Sequence, residues 1–189
     1  MRHRTWFLTT FAATVIVSLF VHELGHAVAG WVQGIPVVPA FAKAYVLRSE
    51  VAAEEKIWIS FGGVAVGVIT GAGAIVWYLR TRSRFAEPVL AGALLAPFAY
   101  SLRFLLAGRG HDGLEWQQAQ AAVGLNPAGH AVDFLFALLV VGGMGAWAVR
   151  RRAAPSWRGA LRLCGLAVFG IALLMAIQVA NNTLLDPFF

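Results

Sequence analysis

The chain is short of cysteine, of charge and of acid. A single cysteine, Cys164, excludes an intrachain disulfide and any cysteine-based metal site. It is expected to pack as a small apolar residue. Only 13% of the 189 residues are charged, about half the ~25% usual in soluble domains. With 59% hydrophobic residues and a mean hydropathy of +0.71, the composition excludes an ordinary water-soluble domain and points to an integral membrane protein. No internal repeat or low-complexity segment is present, and no stretch reads as a soluble accessory module, so residues 1–189 are expected to form one integral membrane domain. The net charge of +6 does not imply nucleic acid. The basic residues sit in short clusters between apolar runs, the distribution that membrane topology requires.

Five apolar runs approach the ~20 residues that cross a hydrocarbon core: Trp6–Trp31, Ile57–Leu79, Pro88–Ala107, Ala131–Val149 and Leu161–Val179. The expected fold is therefore all-α, a polytopic membrane helix bundle. Trp6, Trp31, Trp58, Trp77, Trp147 and Trp157 fall at or near the ends of these runs, where an interfacial aromatic belt places them. Five crossings put the N-terminus and the loops around 80–87 and 150–160 on one side. That side holds Arg2, Arg4, Arg80, Arg82, Arg84, Arg150, Arg151, Arg152 and Arg158, with Arg162 just inside the last run. The other side mixes Lys43, Arg48, Lys56, Arg103 and Arg109 with Glu50, Glu54, Glu55, Asp112, Glu115 and Asp186. The positive-inside rule makes the first side cytoplasmic in a multi-pass protein of the cell membrane. A cleavable signal peptide ending near Ala27-Val28-Ala29 is the competing reading of the N-terminus, but the apolar stretch is long for one and Glu23 is foreign to it. Gly63, Gly67 and Gly71 form a small-residue stripe, read as helix packing. Residues 33–56 are polar and mixed; an external loop, a short strand pair and an interfacial helix all remain open.

Within the first run stands His22-Glu23-Leu24-Gly25-His26, an H-E-x-x-H pattern. On a helix His22 and His26 lie one turn apart, so both imidazoles leave the same face. Two imidazoles at that spacing suit two corners of a tetrahedral Zn2+ site, with Glu23 beside them as general base for a water that the metal activates. Ionisable groups inside a membrane helix are costly and mark function. His22 lies 16 residues beyond Trp6. That is about 24 Å along a helix, which puts the motif in the outer part of a ~30 Å core, toward the extracytoplasmic side.

A third ligand is then expected from an outer helix end or loop. Gly108–Trp116, after the third run, is the densest group of ligand types outside the first motif. Asp112 is the preferred ligand: its carboxylate is a hard oxygen donor, and Gly110 and Gly113 permit an irregular backbone that reaches the metal. His111 and Glu115 are rivals, and a polar loop with a helix cap is the alternative to any ligand role. His130 and Asp133, three apart at the start of the fourth run, can pair with each other, support a ligating histidine or cap the helix. Gln178, Asn181 and Asn182 at the end of the last run are candidates for holding a substrate backbone, with helix-end capping the commoner role for such residues.

Val21-His22-Glu23-Leu24-Gly25-His26-Ala27 resembles the H-E-x-G-H motif of the site-2 protease family of zinc intramembrane metalloproteases. His111-Asp112-Gly113 is similar to that family's later Asp-Gly element, whose aspartate is the third zinc ligand, and Phe61-Gly62-Gly63 is similar to its glycine-containing middle helix. The resemblance covers about residues 5–116, the expected catalytic core, and leaves the runs at 131–149 and 161–179 as additional spans. Asn126-Pro127 follows the Asp-Gly pair here, whereas family members commonly place such a stretch before it, so no role is carried over to it. Family members often set the site toward the cytoplasm, and the charge pattern here sets it outside.

The resemblance implies a metalloendopeptidase: a hydrolase in which His22, His26 and Asp112 hold Zn2+ and Glu23 is the catalytic base. Its substrate is expected to be a membrane-spanning or membrane-adjacent protein segment, which must unwind locally because a helix buries its scissile backbone in its own hydrogen bonds. Without an accessory module, selection rests on the helices, on residues 33–56 or on a regulatory partner chain. Two other classes fit the same residues. One is a non-catalytic metal-binding membrane protein, a pseudoprotease scaffold or ion carrier; the other is a zinc hydrolase of a lipid-like substrate. Glu23 discriminates the first of these, since a carrier needs ligands but no general base.

Overall fold

The first apolar run folds as a single helix, α1, over Arg2–Val32. It stops where the sequence supplies a glycine and a proline. Gly34 takes a left-handed backbone (φ 73°), its N–H donates to Trp31 O at 3.0 Å, and Ile35 N–H donates to Gly30 O at 2.9 Å. This pair of bonds satisfies carbonyls that the helix end would otherwise leave open, and Pro36 prevents continuation. Residues 2–107, 130–151 and 157–188 are described in the structure, a computed structural model.

Of the three options for residues 33–56, the chain takes the strand pair. Strands β1 (Val37–Pro39) and β2 (Ala44–Val46) run antiparallel with Val38 opposite Tyr45. The hairpin packs on α1 because Gly30 has no side chain in the way: a Cβ there would overlap the Val37 side chain. Trp31 Nε1–H donates to Val37 O at 2.7 Å and fastens the same contact. Ile35 and Val37 then join Ala27 and Ile59 in a small apolar cluster beside the motif.

Helix α2 spans Ala53–Arg80. Its start is capped by Glu55, whose Oε2 accepts from Ala52 N–H at 2.8 Å, and Glu54 and Glu55 oppose the helix dipole at one end as Arg80 does at the other. The third expected span is broken into α3 (Ala86–Ala93) and α4 (Leu95–Ala107), with the interruption at Leu94. Pro97 explains it: proline has no N–H to give the Ala93 carbonyl, and its ring crowds that turn. Helix α5 covers His130–Arg151 and α6 covers Trp157–Leu184, followed by a short 3-10 turn at Asp186–Phe188. The chain is thus predominantly helical, as expected, with the hairpin as the one departure among the described residues.

Helices α1 and α2 form the most extensive pair; α3 packs on both, α5 on α2 and α4, and α6 on α1 and α4. At the α1–α2 crossing Gly25 and Gly62 meet backbone to backbone. A Cβ on Gly25 would stand 2.5 Å from Gly62 O, and one on Gly62 would overlap Gly25 O. Helices whose outer faces are also apolar gain little from burial alone, so close contact must hold them, and glycine permits it. Three helical stretches, Thr5–Val32, Ala53–Arg80 and Leu163–Leu184, are long and apolar enough to cross a membrane. The last is 6% buried against 28% for the other two, which makes α6 peripheral. Cys164 lies exposed on it and does not pack as expected.

Two ends can be told apart. At one, the Arg84 guanidinium lies 5.3 Å from the Trp6 ring, and Arg150 donates to Tyr78 O while stacking on the Tyr78 ring at 4.5 Å. Trp147 Nε1–H donates to Glu87 at 3.1 Å nearby in the chain's packing, joining α5 to α3. At the other end the hairpin meets α6: Asn181 Nδ2–H donates to Tyr45 OH at 2.9 Å, with both residues buried.

Candidate metal centre

Helix α1 carries His22, Glu23 and His26 on its inward side, all three buried at 7–8% exposure. One helical turn separates the imidazoles, and their Nε2 atoms approach to 3.2 Å with the rings nearly perpendicular at 86°. Two nitrogens that each ligate tetrahedral zinc at ~2.05 Å stand ~3.3 Å apart. The pair therefore has the spacing of one edge of such a site.

The His26 ring is held from α2. Its Nδ1 lies 2.7 Å from Ile59 O, and since a carbonyl only accepts, Nδ1 carries the proton and donates it. In the neutral ring this leaves Nε2 with its lone pair, the form that binds a metal. Ile59 and Gly63 are one turn apart on α2, and a Cβ on Gly63 would overlap the His26 ring. Gly67, a turn further on, stands beside His22, where a Cβ would lie 3.3 Å from Nδ1. The glycine stripe is thus divided. Gly63 and Gly67 make room for the two histidines, and Gly71 packs on Leu94 and Leu139. On the far side of His22, Tyr100 of α4 stands with its ring 6.4 Å away and stacks on Phe136 of α5 at 5.7 Å.

Glu23 and His26 open onto a cleft of about 760 Å3 between α1, the hairpin, α2, α4 and α6. Its walls are largely apolar, with Leu19, Ile59, Ala96 and Leu174 among them. Tyr100 and Gln178 also line it. A carboxylate beside two imidazoles in a water-accessible cleft can accept and return a proton.

The donor set fits zinc as far as it is described: two of the three protein ligands of a catalytic site. Among the described residues no group of three His, Cys, Asp or Glu side chains stands together to hold an ion. The preferred third ligand, Asp112, and its rivals His111 and Glu115 lie outside the described residues. His130 and Asp133 fall in the first turn of α5. The three residues at the end of α6 separate in role. Gln178 reaches the cleft, and its Nε2–H donates to Asn182 at 2.8 Å. Asn182 is exposed, and Asn181 is buried against Tyr45, tying α6 to the hairpin. The Ile59 carbonyl, Gly63 as a clearance and Tyr100 were not visible as site elements in the sequence. Tyr100 beside Ser101, in a run that is apolar apart from these two and Arg103, was the signal for the last.

No protein family, curated protein or solved structure matches this chain.

Proposed function

We propose that the chain is a zinc-dependent intramembrane endopeptidase. The observation that carries this reading is the convergence of His22 and His26 Nε2 at 3.2 Å, with the His26 tautomer set by Ile59 O and Glu23 beside them on an open cleft. The membrane setting is supported by the three long apolar helices and by the basic end around Arg84 and Arg150. In this reading the chain crosses the bilayer five times, with the third crossing made of α3 and α4. The N-terminus is cytoplasmic, and the hairpin end with the motif faces outward.

His22 and His26, with Asp112 as the proposed third ligand, hold the ion, which when bound supplies Lewis acidity to a peptide carbonyl and to water. Glu23 takes a proton from the attacking water as its oxygen bonds to the carbonyl carbon, and passes that proton to the amine nitrogen as the C–N bond breaks. Ile59 O keeps His26 in the ligating tautomer, and Gly63 keeps its place clear. The substrate segment enters the cleft unwound, its apolar side chains against Leu19 and Leu174.

The test is zinc content by elemental mass spectrometry together with cleavage of membrane-spanning peptides, in wild type, His22→Ala, Glu23→Gln and Asp112→Ala. One zinc per chain, lost in His22→Ala, kept in Glu23→Gln, and cleavage lost in both, is the expected result. Absence of metal from folded, reconstituted wild type would sink the peptidase and leave a scaffold. Zinc handling that survives with function intact in Glu23→Gln would indicate a carrier, and cleavage of lipid esters instead of peptides would indicate a lipid hydrolase.

A further inference from the structure

Residues 43–56 carry six charged side chains, three of each sign: Lys43, Arg48 and Lys56 against Glu50, Glu54 and Glu55. The fold sorts them. All three cations line the cleft, and none of the three carboxylates does. Glu55 is engaged by two bonds, accepting from Ala52 N–H at 2.8 Å and from Arg48 at 3.2 Å. Lys43 sits 4.8 Å from the ring of Tyr45, the residue that anchors the hairpin to α6. With Arg48 paired to Glu55, a segment that is neutral in sum still presents the two lysines, Lys43 and Lys56, to an apolar cleft. Among the described residues the one carboxylate lining that cleft is Glu23, on α1 rather than on this segment.

We propose that the cleft selects peptide segments in which an apolar stretch is followed, on the hairpin side, by aspartate or glutamate. The apolar part lies against Leu19, Ile59 and Leu174, and the acidic side chains lie against Lys43 and Lys56, Arg48 being paired with Glu55. The choice of a peptide as occupant rests on the peptidase reading above; an anionic phospholipid has the same charge pattern and is the competing occupant. Charge complementarity at a solvent-exposed rim works mainly through specificity and encounter and is screened by salt.

The test uses the full chain in dodecylmaltoside micelles and three synthetic peptides that share one apolar segment and end in three aspartates, three serines or three lysines. Binding is read by fluorescence anisotropy on Glu23→Gln, and cleavage on wild type. Exposed charge pairs contribute a factor of about two each, so with two lysines binding should fall about fourfold from the aspartate to the serine peptide and about fifteenfold from the aspartate to the lysine peptide at low salt. The order should compress at high salt. It should flatten in Lys43→Gln/Lys56→Gln and invert in Lys43→Glu/Lys56→Glu, variants that spare Arg48 because its partner Glu55 caps α2. The glutamine pair keeps the test readable should the glutamate pair disturb the hairpin. Equal binding of the three peptides overturns the proposal, and if wild type cleaves all three equally the peptidase reading still stands. Charge-ordered binding with no cleavage upholds the selection and removes the peptidase. Displacement of the aspartate peptide by phosphatidylglycerol, with the same dependence on Lys43 and Lys56, would assign the cleft to lipid and overturn the proposal.

Discussion

Gly63 stands so close to the His26 imidazole that a single methyl group on it would overlap the ring. One turn earlier on the same helix, Ile59 O accepts a hydrogen bond from His26 Nδ1–H at 2.7 Å. Helix α2 thus supplies two things to one histidine without using a side chain: an acceptor and a clearance. Both are backbone features, and both hold only while α1 and α2 stay at the separation that Gly25 and Gly62 permit.

Gly63→Ala is accordingly expected to lose at least tenfold in zinc content and in peptide cleavage, because the ring must leave the position at which its Nε2 faces His22. The stability cost should stay within the ~1–3 kcal/mol of an overpacked site. Gly73→Ala, on the same helix but with open space around it, should keep full activity and gain up to ~1 kcal/mol from better helix propensity. Elemental analysis, cleavage rates and thermal unfolding of the two variants make the comparison.

Glu23→Gln keeps the shape of the side chain and removes its basicity. Cleavage should drop by a factor of ~10^2 or more, the usual contribution of a positioned general base, with zinc per chain unchanged. A rate near that of wild type would take the base role away from Glu23.

Zinc bound to the native state alone should add to stability. Chelation should lower the unfolding midpoint of wild type, with a loss of ~2.7 kcal/mol for an ion present at a hundred times its Kd. It should leave His22→Ala, expected to hold no metal, where it was. Asp112→Ala tests the ligand proposed from the sequence. If that variant still responds to the chelator as wild type does, the third ligand is elsewhere, with His111 and Glu115 next in line.

Asn181 has its Oδ1 buried without a hydrogen-bond partner, and its Nδ2 satisfied by Tyr45 OH at 2.9 Å. Tyr45→Phe would strand the amide altogether and should cost ~1–3 kcal/mol. The loss should be visible as faster hydrogen exchange of the β1 and β2 amides. In the double variant with Asn181→Leu the two effects should sum to less than their separate values, because the stranded group is gone. Simple additivity would mean that the bond does not anchor the hairpin.

Much of the frame was legible in the sequence because it rests on local rules. The helical periodicity of His22 and His26 and the long apolar runs are properties of neighbouring residues. Other features were not legible, for a common reason. The break at Leu94 needed the effect of Pro97 on a carbonyl four residues back, in a run whose composition reads as one span. The hairpin in residues 33–56 was chosen over a loop by packing against α1, where Gly30 leaves space for Val37. Gln178, Asn181 and Asn182 are alike in sequence position, yet one faces the cleft, one anchors the hairpin and one is exposed.

By itself the sequence singled out His22, Glu23 and His26 as candidates and determined that the two histidines share a helix face, since a turn of helix fixes their spacing whatever surrounds it. Tertiary structure decided which imidazole nitrogen is left bare, which glycines make room for a ring and which charges face the cleft. Those depend on atoms brought from α2, α4, α6 and the hairpin to within contact of α1, distances that no local pattern along the chain encodes.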